Sequence, residues 1–153
     1  MALQAGDILF LDTNILLTAT DVSRKSHTRA KDIFKTSLEV GFHLCLSGQV
    51  VREYLVVATR DRNLNGLGLV TEDAVCNIES FLKRAVLLEE TEAVSGHLVT
   101  LIRDHNLVGS RIHDANIVAT MMAHSISKLI TENPKDFREF TEASVLDLSD
   151  PVG

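Results

Sequence analysis

Asp12, Glu53, Asp114 and Asp136 each stand beside or within an apolar stretch of this chain, where an unpartnered charge is expensive to keep. Asp12 follows the apolar run DILFL directly. Glu53 lies four residues before Val57, so at about 100° per residue the two sit roughly 40° apart on one helix. Asp114 shares the face of Ile117, Val118 and Met121 in a segment that is apolar nearly all round, and Asp136 follows Pro134 in a turn. Carboxylates gathered without Cys or His suit a hard, oxygen-seeking divalent cation such as Mg²⁺ or Mn²⁺. Asn14, Thr131 and Asn133 stand close to them in sequence and can orient carboxylates or hold water. Taken singly, each acid has a plainer reading. Asp12, Asp114 and Asp136 suit helix caps, and Glu53 suits a solvated side chain paired with Arg52 or Arg60.

The elements that must position these groups alternate. Strands are predicted at residues 7–11, 42–46, 86–88, 128–131 and 144–148. A helix begins near Ile15, a second carries Ala30, Ile33, Phe34 and Leu38 with Ser26 as a cap and Gly41 as its end, and a third runs over 49–59. After a loop over 61–68, Thr71 is expected to cap a helix with Glu72 and Asp73 in its first turn, and residues 92–105 and 113–126 form two more. Alternating strands and helices imply a mostly parallel sheet covered on both faces, a three-layer α/β fold. Such sheets bind ligands at the carboxyl ends of their strands, where the strand order reverses, and the acids are placed to converge there. Independent caps have no reason to converge.

Bulk properties narrow the chemistry. A chain of 153 residues, 45% hydrophobic and 24% charged, fits one domain over 1–153, and its opening ten residues lack a basic leader and a long apolar run. A soluble, cytoplasmic protein without a membrane partner is expected. A net charge of −6 argues against a broad basic groove gripping nucleic acid through many phosphates, so any such contact must be local. Arg52, Arg60 and Arg111 are the basic residues best placed to steer phosphate. Cys45 and Cys76 have neither the number of a disulfide framework nor zinc-ligand spacing and read as buried free thiols. His113 adjoins Asp114 but points about 100° away from it on a helix.

The stretches LDTNILL (11–17), VREYLVVA (51–58), HDANIVATM (113–121) and LITENPKDF (129–137) resemble, in order, the acidic motifs of PIN domains, especially VapC-type toxins. The resemblance covers essentially the whole chain. It implies a five-stranded parallel sheet and a Mg²⁺- or Mn²⁺-dependent endoribonuclease with Asp12, Glu53 and Asp114 as its acidic core. It further implies products with 5′-phosphate and 3′-hydroxyl ends, a homodimer, an RNA substrate and a small antitoxin partner. Many PIN domains carry Asp two residues after the Thr that ends the fourth strand; here that position is Asn133, and Asp136 is the nearest acid able to supply the charge. Two alternatives belong to other classes. A degenerate PIN domain would keep the fold as an RNA- or protein-binding module, and a signalling receiver domain would need an acidic pair and a Lys that are not evident.

Overall fold

The computed structural model describes residues 2–150. Its centre is β1 (Ile8–Leu11), whose Leu9, Phe10 and Leu11 are all fully buried. Side chains alternate between faces along a strand, so three successive buried residues mean that both faces are covered. Around β1 lie β2 (His43–Ser47), β3 (Val86–Leu88), β4 (Lys128–Thr131) and β5 (Ser144–Asp147), in the order β3-β2-β1-β4-β5, every pair parallel. The sheet therefore leaves β1 in both directions, with β2 on one side and β4 on the other. That is the point of reversal at which a parallel sheet opens a cleft.

The helices are α1 (Thr13–Thr20), α2 (His27–Val40), α3 (Gly48–Thr59), α4 (Thr71–Leu82), α5 (Glu92–His105) and α6 (Arg111–Ala123). α1 packs on α2 and α3, and α3 on α4, while α5 and α6 pack on each other. The buried apolar side chains form one connected core, with Phe10, Tyr54, Phe137 and Phe140 among the largest. Each such side chain contributes about 1.5–3 kcal/mol by leaving water. Tyr54 keeps its hydroxyl satisfied by Thr20 at 2.9 Å and Asn77 at 3.2 Å. Among the described residues, no helix is long and apolar enough to cross a membrane.

Several expected boundaries move. Thr71 is the first residue of α4 rather than its cap, a position Val70 occupies with extended backbone. α2 keeps its expected ends: Ser26 holds the cap position, though without a side-chain cap bond, and Gly41 ends the helix at φ 91°. The last long helix starts at Arg111 rather than His113 and closes at Ala123, because Ser125 turns left-handed at φ 56°. A 3₁₀ turn, Arg62–Leu64, lies inside the expected loop, and β5 ends at Asp147. Cys45 is buried as expected, its thiol pushed up to about 12 by desolvation, but Cys76 is exposed on α4 because it lies off that helix's buried stripe of Ala74 and Ile78.

Candidate active site

Asp12 leaves the carboxyl end of β1, where its N–H extends the sheet ladder by donating to the Ile130 carbonyl at 3.1 Å. Its side chain also caps α1: Oδ1 accepts from the Thr13 N–H at 2.7 Å. The plainer reading is thus true as geometry, and it accounts for one oxygen. The other, Oδ2, accepts from the Thr131 hydroxyl at 2.7 Å and from Asn14 Nδ2 at 3.2 Å. Asn14 also donates to Thr131 Oγ1 at 3.1 Å and accepts from the Glu132 N–H at 3.2 Å, so it ties the ends of β1 and β4 together. Thr131 is fully buried and takes the Asn133 N–H at 3.0 Å. Burial pushes the Asp12 carboxyl up to about 6 against the pull of these hydrogen bonds, and the charges of Glu53 and Asp136 raise it further.

Glu53 reaches the same edge from α3. It pairs with neither Arg52 nor Arg60. Its Oε2 accepts from the Thr13 hydroxyl at 2.7 Å and its Oε1 from Gln49 Nε2 at 2.8 Å, because Gln49 stands one turn earlier on the same helix face. Arg52 faces Glu90 at 3.7 Å, and Arg60 sits at the far end of α3.

Asp114 is the fourth residue of α6, one turn inside a helix that opens at Arg111, so it is not the residue that caps that helix. Its carboxyl is also pushed up to about 6, first by burial and then by Asp136, with Arg111 opposing and Asp12 and Glu53 adding to the rise. Asp136 lies within the 3₁₀ turn Pro134–Phe137, whose cap position belongs to Asn133, so the reading of Asp136 as a cap fails. Arg111 stands between Asp114 at 3.6 Å and Asp136 at 3.7 Å and also holds Glu139. The side chain of Asn133 does not cap the turn.

The structure brings Asp12, Glu53, Asp114 and Asp136 within electrostatic reach of one another at the reversal point. PIN domain is the family model that matches the chain, over residues 9–143. The chain belongs to the PIN domain family. Solved structures similar to this PIN domain include DNA-bound VapBC from Salmonella typhimurium, at 18% identity over 93% of this chain and 98% of that one with a TM-score of 0.68. VapBC-1 from nontypeable Haemophilus influenzae is 22% identical over 94% and 99%, TM-score 0.66. The Mycobacterium tuberculosis toxin VapC20, described as cleaving the sarcin-ricin loop, is 16% identical over 79% and 86%, TM-score 0.60. No curated protein sequence matches.

Do these residues fit a divalent cation? Four carboxylates without Cys or His make a hard donor set, and partial burial with mutual repulsion raises two of them, Asp12 with no cation beside it among the described residues and Asp114 despite Arg111. Among the described residues, however, no three His, Cys, Asp or Glu side chains close on a single point as ligands. The fit therefore rests on the chemistry of the donor set, all carboxylate oxygen, which is the kind that hard divalent cations take. Thr13, Gln49, Asn116 and Glu139 belong to this polar network and were not among the residues expected there. Gln49 four before Glu53, and Thr13 directly after Asp12, are the sequence signals that point to two of them.

Proposed function

We propose that this PIN domain is a metal-dependent endoribonuclease acting as the toxin of a VapBC-type toxin–antitoxin pair. The observation that carries the reading is the pair of partly buried carboxylates, Asp12 and Asp114, pushed up to about 6 beside Glu53 and Asp136 at the reversal point of a PIN fold. Asp12, Glu53 and Asp114 would hold Mg²⁺ or Mn²⁺, with Asp136 adding the charge that Asn133 lacks. A bound ion would neutralise charge on the phosphodiester and lower the pKa of a bound water toward that of a usable nucleophile.

The chain's own residues do the remaining work. Thr131 and Asn14 fix Asp12 Oδ2, and Thr13 and Gln49 fix one oxygen each of Glu53, so the carboxylates need little reorganisation when charge develops. Arg111, already between Asp114 and Asp136, is the cation placed to meet a phosphate oxygen once those acids have another partner. The RNA substrate, a homodimer, a small antitoxin and a cytoplasmic setting belong to the same reading; the VapBC neighbours support the antitoxin, and VapC20, which cleaves the sarcin-ricin loop, supports the substrate class. A net charge of −6 suits a basic partner segment at the cleft.

A second reading, a PIN domain that binds without cleaving, has the pairing of Arg111 in its favour, since a guanidinium can neutralise these acids without a metal. Labelled RNA incubated with the protein and Mn²⁺, with the protein and chelator, and with Asp12→Asn protein and Mn²⁺ separates the two. Cleavage in the first sample alone is expected. Equal product in all three sinks the metal mechanism, and binding without product in all three favours the second reading.

A further inference from the structure

We propose that Gln49 is a positioning residue that locks Glu53 to the first turns of α6, and so sets the spacing between Glu53 and Asp114 at which a divalent cation is held. The inference rests on the cation-binding reading above and extends it to residues outside the four acids. Gln49 is 3% exposed, so its amide must find partners inside the protein. It gives both its protons away, one to Glu53 Oε1 at 2.8 Å and one to the His113 carbonyl at 2.9 Å. His113 immediately precedes Asp114. One side chain on α3 therefore holds a carboxylate of its own helix and the backbone next to the carboxylate of another.

The orientation of the amide is forced. Gln49 Oε1 accepts from Asn116 Nδ2 at 2.7 Å, and Asn116 Nδ2 donates in addition to Glu90 Oε1 at 2.5 Å. Exchanging the oxygen and nitrogen of Gln49 would set its oxygen against the Glu53 carboxylate and the His113 carbonyl, and its NH₂ against that of Asn116. Every contact would become like against like. Asn116 thus acts as a lock, itself anchored by Glu90, whose other oxygen lies 3.7 Å from Arg52.

The donors that meet Glu53 are neutral on both oxygens, Thr13 on one and Gln49 on the other. Each carboxylate oxygen can accept more than one contact, so Glu53 is held without being neutralised. This contrasts with Asp114 and Asp136, where Arg111 supplies positive charge that an incoming cation must replace. Outer-shell partners of this kind, when removed, typically weaken metal affinity by about 10–100-fold.

The test is Mn²⁺ binding to the full chain, measured by titration calorimetry and by the electron paramagnetic resonance signal of free Mn²⁺, beside melting curves in chelator. Gln49→Met keeps length and removes every donor and acceptor of the amide; it is expected to weaken Mn²⁺ binding about tenfold or more. Asn116→Ala touches neither Glu53 nor Asp114 and releases the lock together with its Glu90 anchor, which keeps its contact with Arg52. A smaller loss, about threefold, is expected there, and this variant decides the matter if Gln49→Met does not fold. Wild-type affinity, within about twofold, in a folded Gln49→Met protein overturns the proposal and leaves Gln49 a structural tie, whereas the cation-binding reading survives. A wild-type protein that binds no Mn²⁺ overturns both.

Discussion

Asp136 and Asn133 compete for the fourth acidic position, and the structure separates their surroundings. Asp136 is the largest charged influence on Asp114, acts also on Asp12, and shares Arg111 with Asp114. Asn133 contributes its N–H to Thr131 and opens the turn. Asp136→Asn is therefore expected to slow Mn²⁺-dependent RNA cleavage about tenfold or more, with Asn133→Ala closer to wild type. Because Asp136 caps nothing, its melting temperature in chelator should stay near the wild-type value. Cleavage rates of the two variants in the opposite order, or a large loss of stability in Asp136→Asn, would return Asp136 to a structural role. The acids themselves were legible because charge in an apolar context is conspicuous. Gln49 and Asn116 were not, since a neutral amide on a helix reads as a side chain turned to water until the fold shows what it faces.

At the scale of the element, the strands and helices followed from apolar periodicity, with both ends of β3, β4 and α5 where expected, whereas the starts of α4 and α6 lay elsewhere. Thr71 and Ser26 look like caps by residue type, yet neither carries the cap bond: Val70 holds the cap position of α4, and Ser26 holds that of α2 without using its hydroxyl. The end of α3 at Thr59 was legible, but the segment after it read only as a loop. There the chain doubles back, and the N–H groups of Leu67, Gly68 and Leu69 satisfy the carbonyls of Val57, Arg60 and Ala58 at 2.8–3.0 Å. Gly66 makes this possible, because a Cβ at that position would overlap the Arg60 carbonyl. Gly66→Ala is expected to cost about 2–3 kcal/mol by forcing the return loop off α3. Gly41→Ala meets only an ordinary contact with Ala5 and pays for its left-handed φ of 91°, about 1–2 kcal/mol. Urea denaturation of both variants checks the order; a more damaging Gly41→Ala would mean that the α3 return loop is not under the constraint described.

For the whole molecule, the strand order around β1 gathers like charges that the sequence scatters over more than a hundred residues, and a net charge of −6 gives no hint of where they collect. Gathering them has a cost that depends on pH. Asp12 and Asp114 have ordinary values of 3.8 and folded values of about 6, and each raises the other or shares the neighbours that do, so they titrate as a coupled set. A carboxyl raised on folding holds its proton more tightly in the native state. Its stabilising contribution is therefore complete below about pH 4 and is lost as pH rises through about 6. For Asp12 the difference is no more than about 3 kcal/mol, and less to the extent that water reaches the partly buried carboxyl. In chelator, the stability of wild type relative to Asp12→Asn should accordingly fall between pH 4 and pH 7. Mn²⁺ binds the ionised acids and reverses the trend: at about 100 times its Kd it adds about 2.7 kcal/mol to the native state. That gain should be largest above pH 7, shrink toward pH 5 as protons compete, and vanish in Asp12→Asn. Denaturation curves across this range, with chelator and with Mn²⁺, measure both effects. Parallel wild-type and Asp12→Asn profiles in chelator would show that Asp12 is not held protonated by the fold, and a Mn²⁺ gain equal at pH 5 and pH 7.5 would place the ion somewhere other than these carboxylates.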